Sequence, residues 1–127
     1  VRFEYKHFAV IGMESIRAAE ASECANEQGM FWQYHDTLFA NQRGENQGAF
    51  RDAALKAFAA ELGLDQAAFN ECLDSGRYRD LVQAELNEGR SRGVQATPTI
   101  FINGRKIEGA LPFAEFQAVI EAELSSK

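Results

Sequence analysis

Long apolar runs are missing: no stretch of these 127 residues approaches the ~20 apolar residues that a bilayer-spanning helix needs. Basic runs are missing too. With 13 Lys and Arg against 19 Asp and Glu, the formal net charge is −6, and phosphates would be repelled. That argues against a nucleic-acid or anionic-membrane surface. Cysteine is scarce. Cys24 and Cys72 stand far apart, and neither has the close Cys or His neighbour of a zinc site. No repeat and no low-complexity segment interrupts the pattern. The sequence begins at Val1 with no initiator Met and no signal segment, so processing upstream is expected and targeting signals give no address.

What is present suits one α/β domain, large enough to bury roughly two-thirds of its unfolded surface. Residues 1–8 alternate, with Val1, Phe3 and Tyr5 on one face and Arg2, Glu4 and Lys6 on the other. This predicts an edge strand with one face in the core. An Ala-rich helix is predicted over 14–29, closed by Gly29. The next helix carries Phe31, Trp32, His35, Leu38 and Phe39 at the spacing of a broad apolar face, read here as core, with an exposed edge around Trp32 that could line a peptide groove. A polar loop covers 41–48, and a third helix shows Phe50, Ala54, Phe58 and Leu62 before Gly63. Asp65 is a good N-cap for the fourth, with Leu64 and Phe69 spaced as a hydrophobic staple. Tyr78, Leu81, Val82 and Leu86 mark a fifth, ending near Gly93.

The period then changes. Residues 99–102 and 105–108 flank Asn103-Gly104, a strong hairpin signal. Pro112 suits the first turn of a last helix with Phe116, Val119, Ile120 and Leu124 inward. Two readings of the cysteines stay open at this point: free core thiols, or a structural disulfide between packed helices. His7 and His35 are read as structural, since nothing pairs them as ligands or as base and nucleophile.

Residues 93–104, GVQATPTIFING, place a proline at the mouth of a strand pair. Alone, that proline could simply start a strand. Taken with YKHFAV at 5–10, AAEASECANEQG at 18–29, FWQYHDTLF at 31–39, LGLDQAAFNECLDSG at 62–76 and INGRKIEGALPF at 102–113, the chain resembles the bacterial DsbA-like thiol-disulfide oxidoreductases in order and spacing. The resemblance covers essentially the whole chain. It implies an α/β thioredoxin-like fold with an inserted all-helical subdomain: insertion at 11–92, thioredoxin part at 1–10 and 93–127. It also implies that the first core strand and the Cys-x-x-Cys helix lie before residue 1, so no catalytic residue is expected in this chain. Ala9 stands where relatives often have proline.

From the family come several further expectations. Thr97 and Pro98 would form a cis-proline loop in which Thr97 pairs with an extended substrate, its hydroxyl near the attacking thiolate. Cys24 and Cys72 would form a structural disulfide, as second bridges do in some members. No metal and no cofactor is needed. The partners would be exported polypeptides and a membrane or soluble redox partner, outside the cytoplasm in the periplasm or envelope, with no nucleic acid. An open sheet also invites strand exchange or edge pairing between copies. Two alternatives are a redox-inert peptide-binding or chaperone-like module and a kappa-type glutathione-dependent enzyme.

Overall fold

Alanine dominates the first helix, and its small side chains set the packing of everything around it. In the computed structural model, which describes residues 1–126, α1 (Met13–Asn26) buries Ala18, Ala21, Cys24 and Ala25. Side chains this short let three helices pack against it: α2 (Phe31–Ala40), α3 (Asp52–Glu61) and α4 (Gln66–Asp74). Tyr34, Leu55, Phe69 and Leu73 fill the space between them and are fully buried. The Tyr34 hydroxyl donates to the Leu55 carbonyl at 2.8 Å, so the phenol is buried with its polar end satisfied. Asp65 caps α4, its carboxylate accepting from the Ala68 N–H at 3.0 Å, as the sequence predicts. The chain turns out of α1 at Gly29, whose φ of 74° suits glycine.

Cys24 on α1 and Cys72 on α4 form a disulfide with Cα atoms 5.8 Å apart. Each is 1% exposed, inside the cluster of Tyr34, Leu55 and Phe69. This resolves the choice between thiols and bridge.

A second tie is ionic. The Glu20 carboxylate on α1 is 1% exposed and accepts from Arg17 Nη1 at 3.2 Å and from Arg79 Nε at 2.9 Å. Arg17 also makes two 2.9 Å bonds to Asp52. Arg79 opens α5 (Arg79–Ser91), so the network joins α1, α3 and α5. The hydrogen bonds from Arg17 hold the Asp52 carboxyl below its usual range.

The described residues form two compact units, 1–88 and 89–126, with the boundary inside α5. Residues 1–10 fall in the first unit. Residues 1–10 are also not a strand. They lack a backbone ladder, because no neighbouring strand among the described residues is there to pair with them. Their apolar positions stay out, with Val1 and Phe3 largely exposed. The core face of α2 is corrected as well: Tyr34 is its buried residue, while Trp32 and Phe39 are exposed.

In the second unit, β1 (Thr99–Ile102) and β2 (Arg105–Glu108) pair antiparallel, Ile100 opposite Ile107, around the predicted Asn103-Gly104 turn. Both turn residues have positive φ, 48° and 86°, as a two-residue hairpin of this type requires. Helix α6 (Phe113–Ser125) follows Pro112. Phe116, Val119 and Ile120 are half-buried, but Leu124 is exposed, because the two-stranded hairpin is too short to cover the last turn.

Three stability outcomes are expected. Replacing both cysteines by alanine removes a cross-link spanning 48 residues, for which the chain-entropy model gives at most about 4 kcal/mol in urea unfolding. Glu20→Gln should cost about 2 kcal/mol, since it leaves Arg17 and Arg79 without their shared anion; a change under about 0.5 kcal/mol would remove the network from the account. Because Asp52 ionises more readily folded than unfolded, its pairing stabilises above the unfolded carboxylate pKa of about 3.9, and that contribution fades as pH falls through the lower folded value. Asp52→Asn should therefore lower Tm at neutral pH and reduce its further fall on acidification.

Candidate functional site

Two places in the chain carry exposed chemistry, one in each unit. After α5 ends at Ser91, a turn through Gly93 closes it: Val94 N–H returns to the Gly89 carbonyl at 3.0 Å and Gly93 N–H to the Arg90 carbonyl at 3.1 Å. Lys106 Nζ holds the Gly93 carbonyl at 2.8 Å. The loop that follows enters β1 through a Thr97–Pro98 peptide that is cis, the configuration that the resemblance implies. The loop is fixed on its strand side: Thr99 Oγ1 donates to the Ala96 carbonyl at 2.6 Å, and Gly109 N–H to the Pro98 carbonyl at 2.8 Å.

Thr97 and Pro98 are both exposed. Local backbone is satisfied by Thr99, and among the described residues Thr97 makes no hydrogen bond in that role. An anchored loop with an open threonine can therefore accept a peptide backbone without first breaking its own contacts. Nearby in the same unit, the Arg92 guanidinium lies 5.2 Å from the Phe101 ring centroid.

In the first unit, the aromatic residues that the sequence reads as core form an open patch. Trp32 lies 4.9 Å from Phe31, 5.7 Å from Phe3 and 5.9 Å from Tyr5, ring centroid to centroid. Phe3, Tyr5, Phe31 and Trp32, with Glu23 and Asn26, line a depression of about 200 Å³. Burial pushes the Tyr5 phenol up, so it stays neutral. The sequence reading allows the exposed edge of the Trp32 cluster to line a peptide groove, but not the part of Glu23, which lies on another helix and reaches the rings only through the fold.

His7 is buried and satisfied. Its N–H donates to Glu85 Oε1 at 2.8 Å, and its Nε2 lies 3.1 Å from Glu23 Oε1. His35 packs among the rings, 3.0 Å from Asp36. The two histidines serve no nucleophile. With Cys24 and Cys72 joined, no free thiol remains, and no group of three metal-ligating side chains occurs among the described residues. The chain as folded exposes the Thr97–Pro98 loop, but its two sulfurs are bonded to each other and give no thiolate to attack a disulfide.

The thioredoxin family model matches residues 1–122. A protein named disulfide bond formation protein D from Bacillus subtilis is 28% identical over the whole chain, which spans 59% of that protein. A protein named Na(+)/H(+) antiporter NhaA from Herminiimonas arsenicoxydans is 40% identical over 83% of the chain, which corresponds to 16% of that protein's length. The crystal structure of a thioredoxin-like oxidoreductase from Silicibacter pomeroyi DSS-3 superposes with a TM-score of 0.78 at 17% identity, covering 95% of this chain and 67% of that one. The chain thus spans under two-thirds of the length of both named relatives.

A reduced, extended peptide added to the isotopically labelled chain should shift the amide signals of Gln95, Ala96, Thr97 and Thr99 and leave the α1 core unchanged. Shifts spread evenly over the chain, or none in the loop, would remove the loop as a binding site.

Proposed function

The chain belongs to the thioredoxin family, and from that premise we propose that it is part of a DsbA-like thiol-disulfide oxidoreductase acting on exported polypeptides. The exposed Thr97–Pro98 loop carries this reading. In the proposed reaction a substrate dithiol becomes a disulfide while the enzyme's Cys-x-x-Cys disulfide becomes a dithiol. Two electrons and two protons pass to the enzyme, and a redox partner later removes them. The attacking thiolate needs a lowered pKa, as a helix N-terminus provides. Neither cysteine of this chain qualifies, because both are buried and bonded to each other. The proposal puts the exchanging pair outside these 127 residues. Thr97 would pair its backbone with the substrate, and no metal or organic cofactor takes part.

An extracytoplasmic site of action fits the disulfide, since such bonds persist in oxidising compartments. The net charge of −6 supports protein rather than nucleic-acid partners. Ion transport is left out of the reading: the match to the antiporter-named protein of Herminiimonas covers 16% of its length. No helix among the described residues is long and apolar enough to cross a membrane. One observation favours a second reading, a redox-inert peptide-binding module, namely that this chain holds no free thiol.

The test is oxidation of a reduced dithiol peptide. The 127-residue chain should leave the uncatalysed rate unchanged, and the complete protein should raise it. A complete protein that binds the peptide but does not oxidise it would replace the enzyme reading with the redox-inert one.

A further inference from the structure

The hairpin turn of the second unit holds a reactive pair that the thiol chemistry does not use. The chain has six asparagines, and only Asn103 is followed by glycine; Glu or Gln follows the other five. Glycine carries no Cβ to shield its nitrogen from the preceding side chain. Asn103 and Gly104 are both exposed, and among the described residues the Gly104 N–H donates to no backbone group. In a two-residue hairpin the ladder closes between Ile102 and Arg105, so that nitrogen lies outside it. The reacting atoms belong to the turn and not to the open edge of β1, so they stay in water whatever strand pairs with that edge. One contact restrains the amide: Asn103 Nδ2 donates to Glu123 Oε1 on α6 at 3.2 Å. The other Glu123 oxygen faces Arg105 Nη1 at 3.8 Å.

We propose that Asn103 is a site of spontaneous deamidation, braked by Glu123, and that its conversion breaks the tie between the hairpin and α6. The Gly104 nitrogen loses its proton to solvent and attacks Asn103 Cγ. An N–C bond forms, the Cγ–Nδ2 bond breaks, and ammonia leaves with a proton taken from solvent. Water then opens the cyclic imide at either carbonyl, giving aspartate or isoaspartate. The net change is amide plus water to carboxylate plus ammonium, with no oxidant or reductant. Ring closure requires the side chain to leave Glu123 and swing onto its own peptide, so the hydrogen bond to Glu123 slows it. The product lacks the Nδ2 donor and sets a carboxylate opposite Glu123, where like charges repel. Isoaspartate also adds a methylene carbon to the turn backbone, which a two-residue hairpin cannot absorb without losing register. Nothing in this chemistry depends on the oxidoreductase reading, and either can fail alone.

The experiment incubates the complete protein and the 127-residue chain in mildly alkaline buffer, beside unincubated controls. Tryptic fragment 93–105, in which Asn103 is the one asparagine, is followed by mass and by chromatographic retention. Asn103 should convert before the other five asparagines of this chain, giving both aspartate and isoaspartate. Glu123→Ala should speed the conversion by about threefold or more, the worth of one lost hydrogen bond. Asn103→Asp copies one product, and it should raise the amide exchange rates of α6 by about threefold or more. Conversion of another asparagine first would overturn the site. So would an Asn103 that stays intact while a synthetic 93–110 peptide converts fully. Equal rates with and without the Glu123 carboxylate would overturn the brake. Unchanged α6 exchange in the Asn103→Asp variant would overturn the tie.

Discussion

The bond between Cys24 and Cys72 is the constraint on which the first unit depends. It joins the Ala-rich face of α1 to α4 at the point where Tyr34, Leu55 and Phe69 meet. A helix with so many alanines offers little apolar area of its own, and each small side chain contributes less than a Leu or Phe would. Its value lies in close approach, and close approach requires that the neighbours stay in place. The cross-link enforces that by limiting the unfolded chain. The Glu20–Arg17–Arg79 network fixes the same helix from its polar side.

That constraint also decides the chemistry. A thiol-disulfide enzyme needs an accessible sulfur of low pKa, and a structural bridge needs the opposite. Cys24 and Cys72 fill the second role, so the exchange site proposed above draws only its Thr97–Pro98 loop from this chain. In the proposed reading, the two halves of one reaction lie in different places: substrate contact within these residues, electron transfer outside them.

Much of this was legible in the sequence. The hairpin, its Asn103-Gly104 turn and the Asp65 cap are local, set by backbone preferences over a few residues, and they fall where the pattern places them. The errors come from long-range effects. Alternation at residues 1–8 predicts a strand, yet a strand exists only with a partner to bond, and none is described beside it. The apolar spacing of α2 marks Trp32 and Phe39 as inward, but Tyr34 takes the buried position, because its hydroxyl reaches the Leu55 carbonyl. Periodicity counted aromatics and could not weigh that bond. Glu20 is buried against Arg79, far along the chain, a contact that no local pattern reveals. The pairing of the cysteines came from the resemblance, and spacing alone left it open.

The role assigned to the disulfide is best tested by its reduction in the native state. With both sulfurs buried, a small thiol reagent should reduce the folded chain only as fast as the first unit opens. The rate should then climb with urea in step with global unfolding. Prompt reduction of the folded chain, with α1 and α4 still intact by circular dichroism, would show an accessible, exchangeable bond and contradict the account.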